Sequence, residues 1–185
     1  EWASGVMLMK DGGYLVSAET RSYGNGLGGK PNTWLIRTNS VGDTLWTRTH
    51  GGISGETARV QIQTNDGGYM LVGSTRSHGN GDSDVWLVKI DSMGYEDWSQ
   101  TFGGSGDDGA SFVQQTKDGG YIMIGYTTSF AYDGSDVWII KTDAYGESNV
   151  SIQPMPIDVS KNRKLEKVVD LMGREVKIRT NQVLF

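Results

Sequence analysis

Residues 66–104 read DGGYMLVGSTRSHGNGDSDVWLVKIDSMGYEDWSQTFGG, and this stretch decides how the chain folds. With the residues just before it, it contains four short runs rich in β-branched and aromatic residues, at 58–64, 69–74, 84–90 and 95–102. Asn-Asp-Gly-Gly separates the first two runs and Asp-Ser-Met-Gly the last two, and both favour tight turns. The stretch therefore predicts a four-stranded antiparallel sheet whose middle strands are apolar on both faces.

The same pattern occurs three times, at an interval of 52 residues, with three extra residues near Leu27–Lys30 in the first copy. Residues 58–98 and 110–150 are identical at 17 of 41 positions. Chance matching would give roughly one identity in fifteen, so the chain contains duplicated units. We expect three units at about 1–57, 58–109 and 110–150. The repeated positions include the tryptophans Trp34, Trp86, Trp138, Trp46 and Trp98 and the turn glycines Gly67, Gly68, Gly119 and Gly120.

Four strands in a unit of this length are typical of a β-propeller blade. A single sheet that is apolar on both faces cannot bury these faces by itself, whereas neighbouring sheets stacked on it bury both. We expect an all-β fold with about three four-stranded antiparallel sheets, the repeated tryptophans filling the space between them. Propellers close with four to eight blades. We therefore expect a fragment of a longer propeller, with an open stack and pairing with another copy as alternatives.

Charge and composition exclude several classes of protein. The chain has no cysteine, so it has no disulfide framework, and no run of 18 apolar residues that would span a membrane. Residues 1–150 carry a net charge of −8 and residues 151–185 a net charge of +3. An acidic main body argues against a nucleic-acid partner. No signal peptide is visible at the start of the sequence.

The sequence shows no catalytic constellation. His50 and His78 occupy different positions of the repeat, and aromatic residues replace them in other copies, which favours packing or surface roles. Acidic residues with glycine in loops can bind Ca²⁺, but the same residues also close turns by accepting backbone N–H groups. The weak calcium candidates are Asp82, Asp84, Asp133 and Asp136. We expect no cofactor, with Ca²⁺ as the open alternative.

The repeat pattern resembles the Gly/Asp-rich propeller repeats that are common in secreted and surface proteins of bacteria and archaea. In the second copy the resemblance is carried by residues 66–69, 83–87 and 102–104, with Lys89 and Trp98. It covers about four fifths of the chain and implies architecture, because that family is functionally heterogeneous.

The tail, residues 151–185, does not follow the repeat pattern. Pro154-Met155-Pro156 reads as an extended linker, and residues 164–171, 172–173 and 174–178 read as strand, turn and strand, with KVVDLMGREV at 167–176. This string resembles the hairpin of the C-terminal sorting domain of the bacterial type IX secretion system, of which the tail would be a part. The matching residues are Asp170, Leu171, Gly173, Arg174, Glu175 and Val176.

The resemblance of the tail implies that it is a sorting signal. It implies export from a Bacteroidetes-type bacterium, the type IX machinery as a partner, and an extracellular or cell-surface location. We expect a propeller module that binds or adheres to an extracellular ligand. The alternatives are the non-catalytic part of an exported enzyme, such as a polysaccharide hydrolase, and a Ca²⁺-stabilised structural repeat.

Overall fold

The computed structural model describes residues 1–152, 168–169 and 175–176. Within these ranges the fold is all-β, with three separate four-stranded antiparallel sheets and no α-helix. Sheet 1 contains β1 (Trp2–Leu8), β2 (Tyr14–Thr20), β3 (Asn32–Thr38) and β4 (Thr44–His50). Sheet 2 contains β5 (Glu56–Gln63), β6 (Tyr69–Thr75), β7 (Asp84–Ile90) and β8 (Glu96–Phe102). Sheet 3 contains β9 (Asp108–Gln115), β10 (Tyr121–Thr127), β11 (Asp136–Thr142) and β12 (Ser148–Ile152).

Each sheet has its strands in chain order, as a meander does. The strands of sheet 2 lie within two residues of the predicted runs, and β7 matches its prediction at both ends. Every residue of β7 is buried, whereas the outer strand β8 is exposed or half-buried throughout. In sheet 2 this gradient agrees with the prediction that the middle strands are apolar on both faces, whereas the middle strands of sheets 1 and 3 also carry half-buried and exposed residues.

Sheet 3 is more complete than its sequence suggests. The repeat motif is lost after Gly146, yet β12 forms and pairs with β11. Val150 lies opposite Lys141, in the position that Trp98 takes opposite Lys89 in sheet 2. The fourth strand therefore survives without the motif, because backbone pairing requires an extended segment after a hairpin turn and not a particular side chain.

Two apolar clusters hold the three sheets together. One face of sheet 2 packs on sheet 1, and its other face packs on sheet 3. The cluster between sheets 1 and 2 contains Met9, Leu15, Leu35, Ala58, Tyr69, Leu71, Trp86, Val88 and Ile90. The cluster between sheets 2 and 3 contains Met70, Val72, Val85, Leu87, Ala110, Val113, Tyr121, Met123, Trp138 and Ile140. Burial of a large apolar side chain stabilises by roughly 1.5–3 kcal/mol, so these clusters dominate the stability of the stack.

Four of the five repeated tryptophans lie between sheets, and they are buried to different extents. Trp86 and Trp138 are 3% exposed. Trp46 and Trp98 are half-buried, each packed against the sheet that follows. Trp34 is also only half-buried, unlike its equivalents Trp86 and Trp138, because no sheet of the described chain packs against the face of sheet 1 that carries it. The expectation of an inter-sheet filler therefore holds only where two sheets meet.

Two short strands lie in the tail. β13 (Val168–Val169) pairs antiparallel with β14 (Glu175–Val176), with Val168 opposite Val176. This is the pairing expected of a strand-turn-strand segment. Of the residues that match the sorting-domain hairpin, Asp170, Leu171, Gly173 and Arg174 lie outside the described residues. In the described part of the chain there is no helix with the length and apolarity needed to cross a bilayer.

Candidate functional site

The stack has two different ends. At one end lie the tight hairpin turns, such as residues 64–68 and 91–95, each closed by backbone hydrogen bonds. At the other end lie the longer loops between second and third strands and the connections from sheet to sheet. The loops at this second end are residues 21–31, 76–83 and 128–135, and the connections are residues 51–55 and 103–107. We call this the loop end. Loops on a rigid scaffold are the usual place for recognition.

A groove of about 530 Å³ opens at the loop end and reaches the first strand of sheet 2. Its charged lining residues are Arg21, Lys30, Arg59, Arg76 and Asp107. Hydroxyl groups are the other prominent feature, supplied by Ser54, Thr57, Ser74, Ser83 and Tyr126. The groove therefore combines positive charge with hydroxyl groups that both donate and accept hydrogen bonds.

Local structure places each of the four cations. Arg21 and Arg76 directly follow the second strands of sheets 1 and 2, and Lys30 lies two residues before β3. Arg59 is the extra residue at a bulge in β5, between the paired residues Ala58 and Val60. All four residues are exposed.

None of these four cations has a carboxylate of the described chain within 4.0 Å. Three cations that belong to the third strands behave differently. Lys89 lies 2.9 Å from Asp66, Lys141 lies 2.9 Å from Asp118, and Arg37 pairs with Asp11. In each sheet a cation of the third strand thus neutralises the aspartate of the Asp-Gly-Gly turn, whereas the cations of the groove have no such partner. Of the residues that the structure describes, Asp107 is the one acidic side chain that lines the groove.

Buried polar residues support the loop end from below. The Asn32 side-chain amide donates to Glu56 Oε2 at 3.1 Å, where sheet 1 meets sheet 2. Glu56 is fully buried and also accepts from the Thr75 hydroxyl at 2.9 Å and the Gly52 N–H at 2.6 Å. These bonds fix the connection at residues 51–55, of which Ser54 and Gly55 line the groove. These donors satisfy the hydrogen-bonding capacity of the buried carboxyl group.

The next junction has two carboxylates in the same positions. Asp84 corresponds to Asn32, and Asp108 corresponds to Glu56. Asp84 and Asp108 are both almost completely buried. Burial raises the pKa of the Asp84 carboxyl, and the nearby Asp108 raises it further, although the N–H groups of Gly81 and Asn80 act in the opposite direction. Burial and the neighbouring carboxylate both disfavour ionisation of Asp84, so the stability of this junction depends on pH.

The weak calcium candidates do not come together. Asp84 Oδ2 accepts the N–H groups of Asn80 and Gly81 at 3.0 and 3.2 Å, and Asp136 Oδ2 accepts that of Tyr132 at 3.0 Å. Asp82 and Asp133 are exposed. Among the described residues, no three His, Cys, Asp or Glu side chains are grouped so that they could hold one metal ion. Asp84 and Asp136 therefore close their loops, as the alternative interpretation of these residues predicts.

The two histidines lie in different surroundings. His50 is 8% exposed, with Nδ1 4.0 Å from Glu96 Oε2. The hydrogen bond from His50 lowers the pKa of Glu96. His78 is exposed on loop 76–83. These positions agree with the packing and surface roles inferred from the repeat.

Sequence reasoning missed the groove, because its four cations are far apart along the chain. One signal was present: Arg21 and Arg76 occupy the same position of the repeat, directly after the second strand. No protein-family model matches the chain. A search of curated proteins also finds no match.

Proposed function

We propose that this chain is a β-propeller module of the bacterial surface or extracellular space, and that the groove at the loop end binds an acidic polysaccharide. The single observation that carries the proposal is the set of four exposed cations that no carboxylate of the described chain neutralises. Positive charge kept in a groove of a chain whose body is strongly acidic attracts an anionic ligand.

The chemistry of the groove favours a sugar chain among anionic ligands. The serine and threonine hydroxyl groups of Ser54, Thr57, Ser74 and Ser83 match the alternating donors and acceptors of sugar hydroxyl groups. Arg21, Arg59 and Arg76 offer the planar fork that binds carboxylate or sulfate in two parallel hydrogen bonds. A nucleic acid fits less well, because Tyr126 is the single aromatic side chain among the groove's described lining residues on which a base could stack.

The binding experiment uses the full chain, titrated calorimetrically with polygalacturonate, dextran sulfate and neutral dextran. We expect at least one of the two acidic polymers to bind, with an affinity that falls as salt rises, and neutral dextran not to bind. Arg59→Gln and Arg76→Gln should each weaken binding about tenfold, because each removes a charged hydrogen-bond donor. Lys117→Gln is the matched control, since Lys117 is an exposed cation in a hairpin turn.

Three results would contradict the proposal. They are the absence of binding to both acidic polymers, equal binding of neutral dextran, and unchanged affinity in both arginine variants. Binding of single-stranded DNA as tight as that of the acidic polymers would also contradict it.

We further propose that the tail directs export through the type IX system, on the strength of the resemblance at residues 170–176. Residues 151–185 fused to a periplasmic reporter protein should bring the reporter to the surface of a Bacteroidetes host with that system. A host without the system is the control. Retention of the reporter inside both hosts would refute the role of the tail while leaving the groove proposal intact.

A further inference from the structure

Within the described part of the chain, each of the two outer sheets has one apolar face that no other sheet covers. On sheet 1 we call it the leading face, and it contains Val6, Leu8, Tyr14, Val16, Trp34 and Ile36. On sheet 3 we call it the trailing face, and it contains Phe112, Ile122, Ile124, Tyr126, Val137 and Ile139. All twelve side chains are exposed or half-buried, with Val6 68% and Val137 57% exposed. Apolar patches of this extent on a protein surface mark an interaction site.

Sheet 2 shows what covers such faces. The residues that correspond to Tyr14, Val16, Trp34 and Ile36 are Tyr69, Leu71, Trp86 and Val88, and all four are 0–3% exposed against sheet 1. The residues that correspond to Ile122, Ile124, Val137 and Ile139 are Met70, Val72, Val85 and Leu87, and all four are 0% exposed against sheet 3. The leading and trailing faces are therefore the two halves of a junction that the chain itself makes twice.

We propose that a second copy of this chain covers both faces, with the leading face of each copy packed on the trailing face of the other. We choose a second copy as the partner because the equivalent faces already pack against each other inside the molecule, between sheets 1 and 2 and between sheets 2 and 3. Two copies with three sheets each make six, which lies within the four to eight blades that close a propeller. Such head-to-tail contacts give a closed assembly only when the rotation from sheet to sheet completes the ring.

One position of the junction between copies differs from the internal ones. Inside the chain, the indoles of Trp46 and Trp98 each lie over a tyrosine ring of the next sheet. The register of β12 places Val150 at the corresponding position of sheet 3. On the leading face, a Cβ added at Gly42 would meet no atom within 4 Å, whereas one at the equivalent Gly94 would lie 2.7 Å from Trp46. The junction between copies thus has room for an indole that the sequence does not supply.

Sedimentation equilibrium of the full chain tests the proposal. We expect a reversible dimer, and we expect Val150→Trp to tighten it by about tenfold, the effect of one added aromatic pair. Trp34→Glu and Ile139→Glu should each weaken the dimer strongly, because each places a charge in the middle of one face. Val41→Glu is the control, since Val41 is 80% exposed in a hairpin turn.

Mixing the two face variants distinguishes head-to-tail packing from other modes. A Trp34→Glu copy keeps an intact trailing face, and an Ile139→Glu copy keeps an intact leading face. The mixture should therefore recover one of the two junctions and form a mixed dimer more readily than either variant alone. This readout also guards against misfolding, since a misfolded variant would not recover.

Several outcomes would overturn the proposal. A chain that is monomeric at every accessible concentration would contradict the proposal, and sheets other than those of a second copy would then have to cover the two faces. A dimer insensitive to Ile139→Glu would show that leading faces pack on each other, and open-ended polymers would show that the ring does not close. An unchanged dissociation constant in Val150→Trp would contradict the register of the junction.

Discussion

The indole of Trp46 lies over the ring of Tyr69, with the ring centroids 6.5 Å apart and the ring planes at 59°. Trp46 belongs to the outer strand of sheet 1, and Tyr69 to the Asp-Gly-Gly-Tyr segment of sheet 2. Trp98 and Tyr121 repeat this arrangement between sheets 2 and 3, at 6.2 Å and 63°. A tilted or edge-on aromatic pair of this kind contributes beyond its buried area. The two pairs tie each sheet to the next at the hairpin end.

The first prediction concerns this pair. The double variant Trp98→Ala/Tyr121→Ala should lose less free energy of unfolding than the sum of the losses in the two single variants. The difference, the coupling free energy, should be about 0.5–1.5 kcal/mol. Urea unfolding of the two single variants and the double variant measures it. Trp98→Ala combined with Tyr14→Ala is the control, because Tyr14 lies on the uncovered face of sheet 1, and its effects should add. Coupling of equal size in the control would refute a direct contact.

A second prediction concerns the turn glycine beneath the indole. Gly94 has a φ of 80°, and an added Cβ would lie 2.7 Å from Trp46. Gly42 has a φ of 95° in the same turn of sheet 1, with no atom within 4 Å of its added Cβ. Gly42→Ala should cost about 1–2 kcal/mol from backbone strain alone. Gly94→Ala should cost about 1–3 kcal/mol more, because it also overpacks the junction, and thermal unfolding measures the difference. Equal costs would show that Trp46 moves aside without penalty.

The buried carboxylate pair yields a pH-dependent prediction. The folded pKa of Asp84 is raised above 3.8, so the folded protein retains a proton that the unfolded chain loses. The stabilisation from protonated Asp84 is therefore present at low pH and is lost as the pH rises above 3.8. Asp84→Asn removes this loss and should raise the free energy of unfolding at neutral pH by about 1 kcal/mol. Below pH 3.8 the gain should vanish.

Asn32→Asp is the matched reverse variant. It replaces the amide that donates to Glu56 at 3.1 Å with a second buried carboxyl group, as in the junction of sheets 2 and 3. At neutral pH it should destabilise by about 2 kcal/mol, since the donor is lost and a like charge is added. Urea titrations from pH 3 to pH 8 compare both variants with the parent. A gain in Asp84→Asn that did not vary with pH would contradict the account.

The last prediction concerns acid unfolding. Lys89 Nζ lies 2.9 Å from Asp66 Oδ2 and 3.4 Å from Asp97 Oδ2. Burial raises the pKa of Asp66, but hydrogen bonds from Thr64 and Lys89 outweigh this and lower it to about 2. The stabilisation linked to Asp66 is therefore present above its unfolded value of 3.8 and is lost as the pH falls towards 2.

In Lys89→Met the free energy of unfolding should fall less steeply than in the parent as the pH drops from 3.8 to about 2. Its cost at neutral pH should be small, about 1 kcal/mol, because the carboxyl group of Asp66 stays 62% exposed and solvated. Lys30→Met is the control, as an exposed lysine without an ion pair in the described chain. Circular dichroism during acid titration measures both. An acid limb that keeps its slope in Lys89→Met would refute the link to Asp66.

Much of the fold could be predicted from the sequence because its signals are local. Turn residues such as Gly67 and Gly94 bound each hairpin, and the runs between them have β-branched and aromatic composition. Both depend on neighbouring residues alone, so a single sequence suffices to locate them. The unequal burial of Trp34, Trp86 and Trp138 could not be predicted in this way, because it depends on whether a sheet is packed on that side.

The candidate site could be predicted much less well. The loop cations Arg21 and Arg76 are 55 positions apart, and Arg59 faces the groove only because a bulge interrupts β5. The carboxylates Asp82 and Asp133, which the sequence placed in a possible metal site, are exposed and separate. Turn-forming and metal-binding carboxylates share the same residue types, and only their spatial arrangement distinguishes them.

The amino-acid sequence by itself determined the strands, the turns between them and the repetition of a sheet that is apolar on both faces. These features follow from the conformational preferences and the hydrophobic alternation of residues close together in the chain. Only the tertiary structure decided which faces are covered, which carboxylates meet and which cations remain without partners. Those outcomes depend on contacts between residues some 20 to 55 positions apart, which exist only after the sheets have packed.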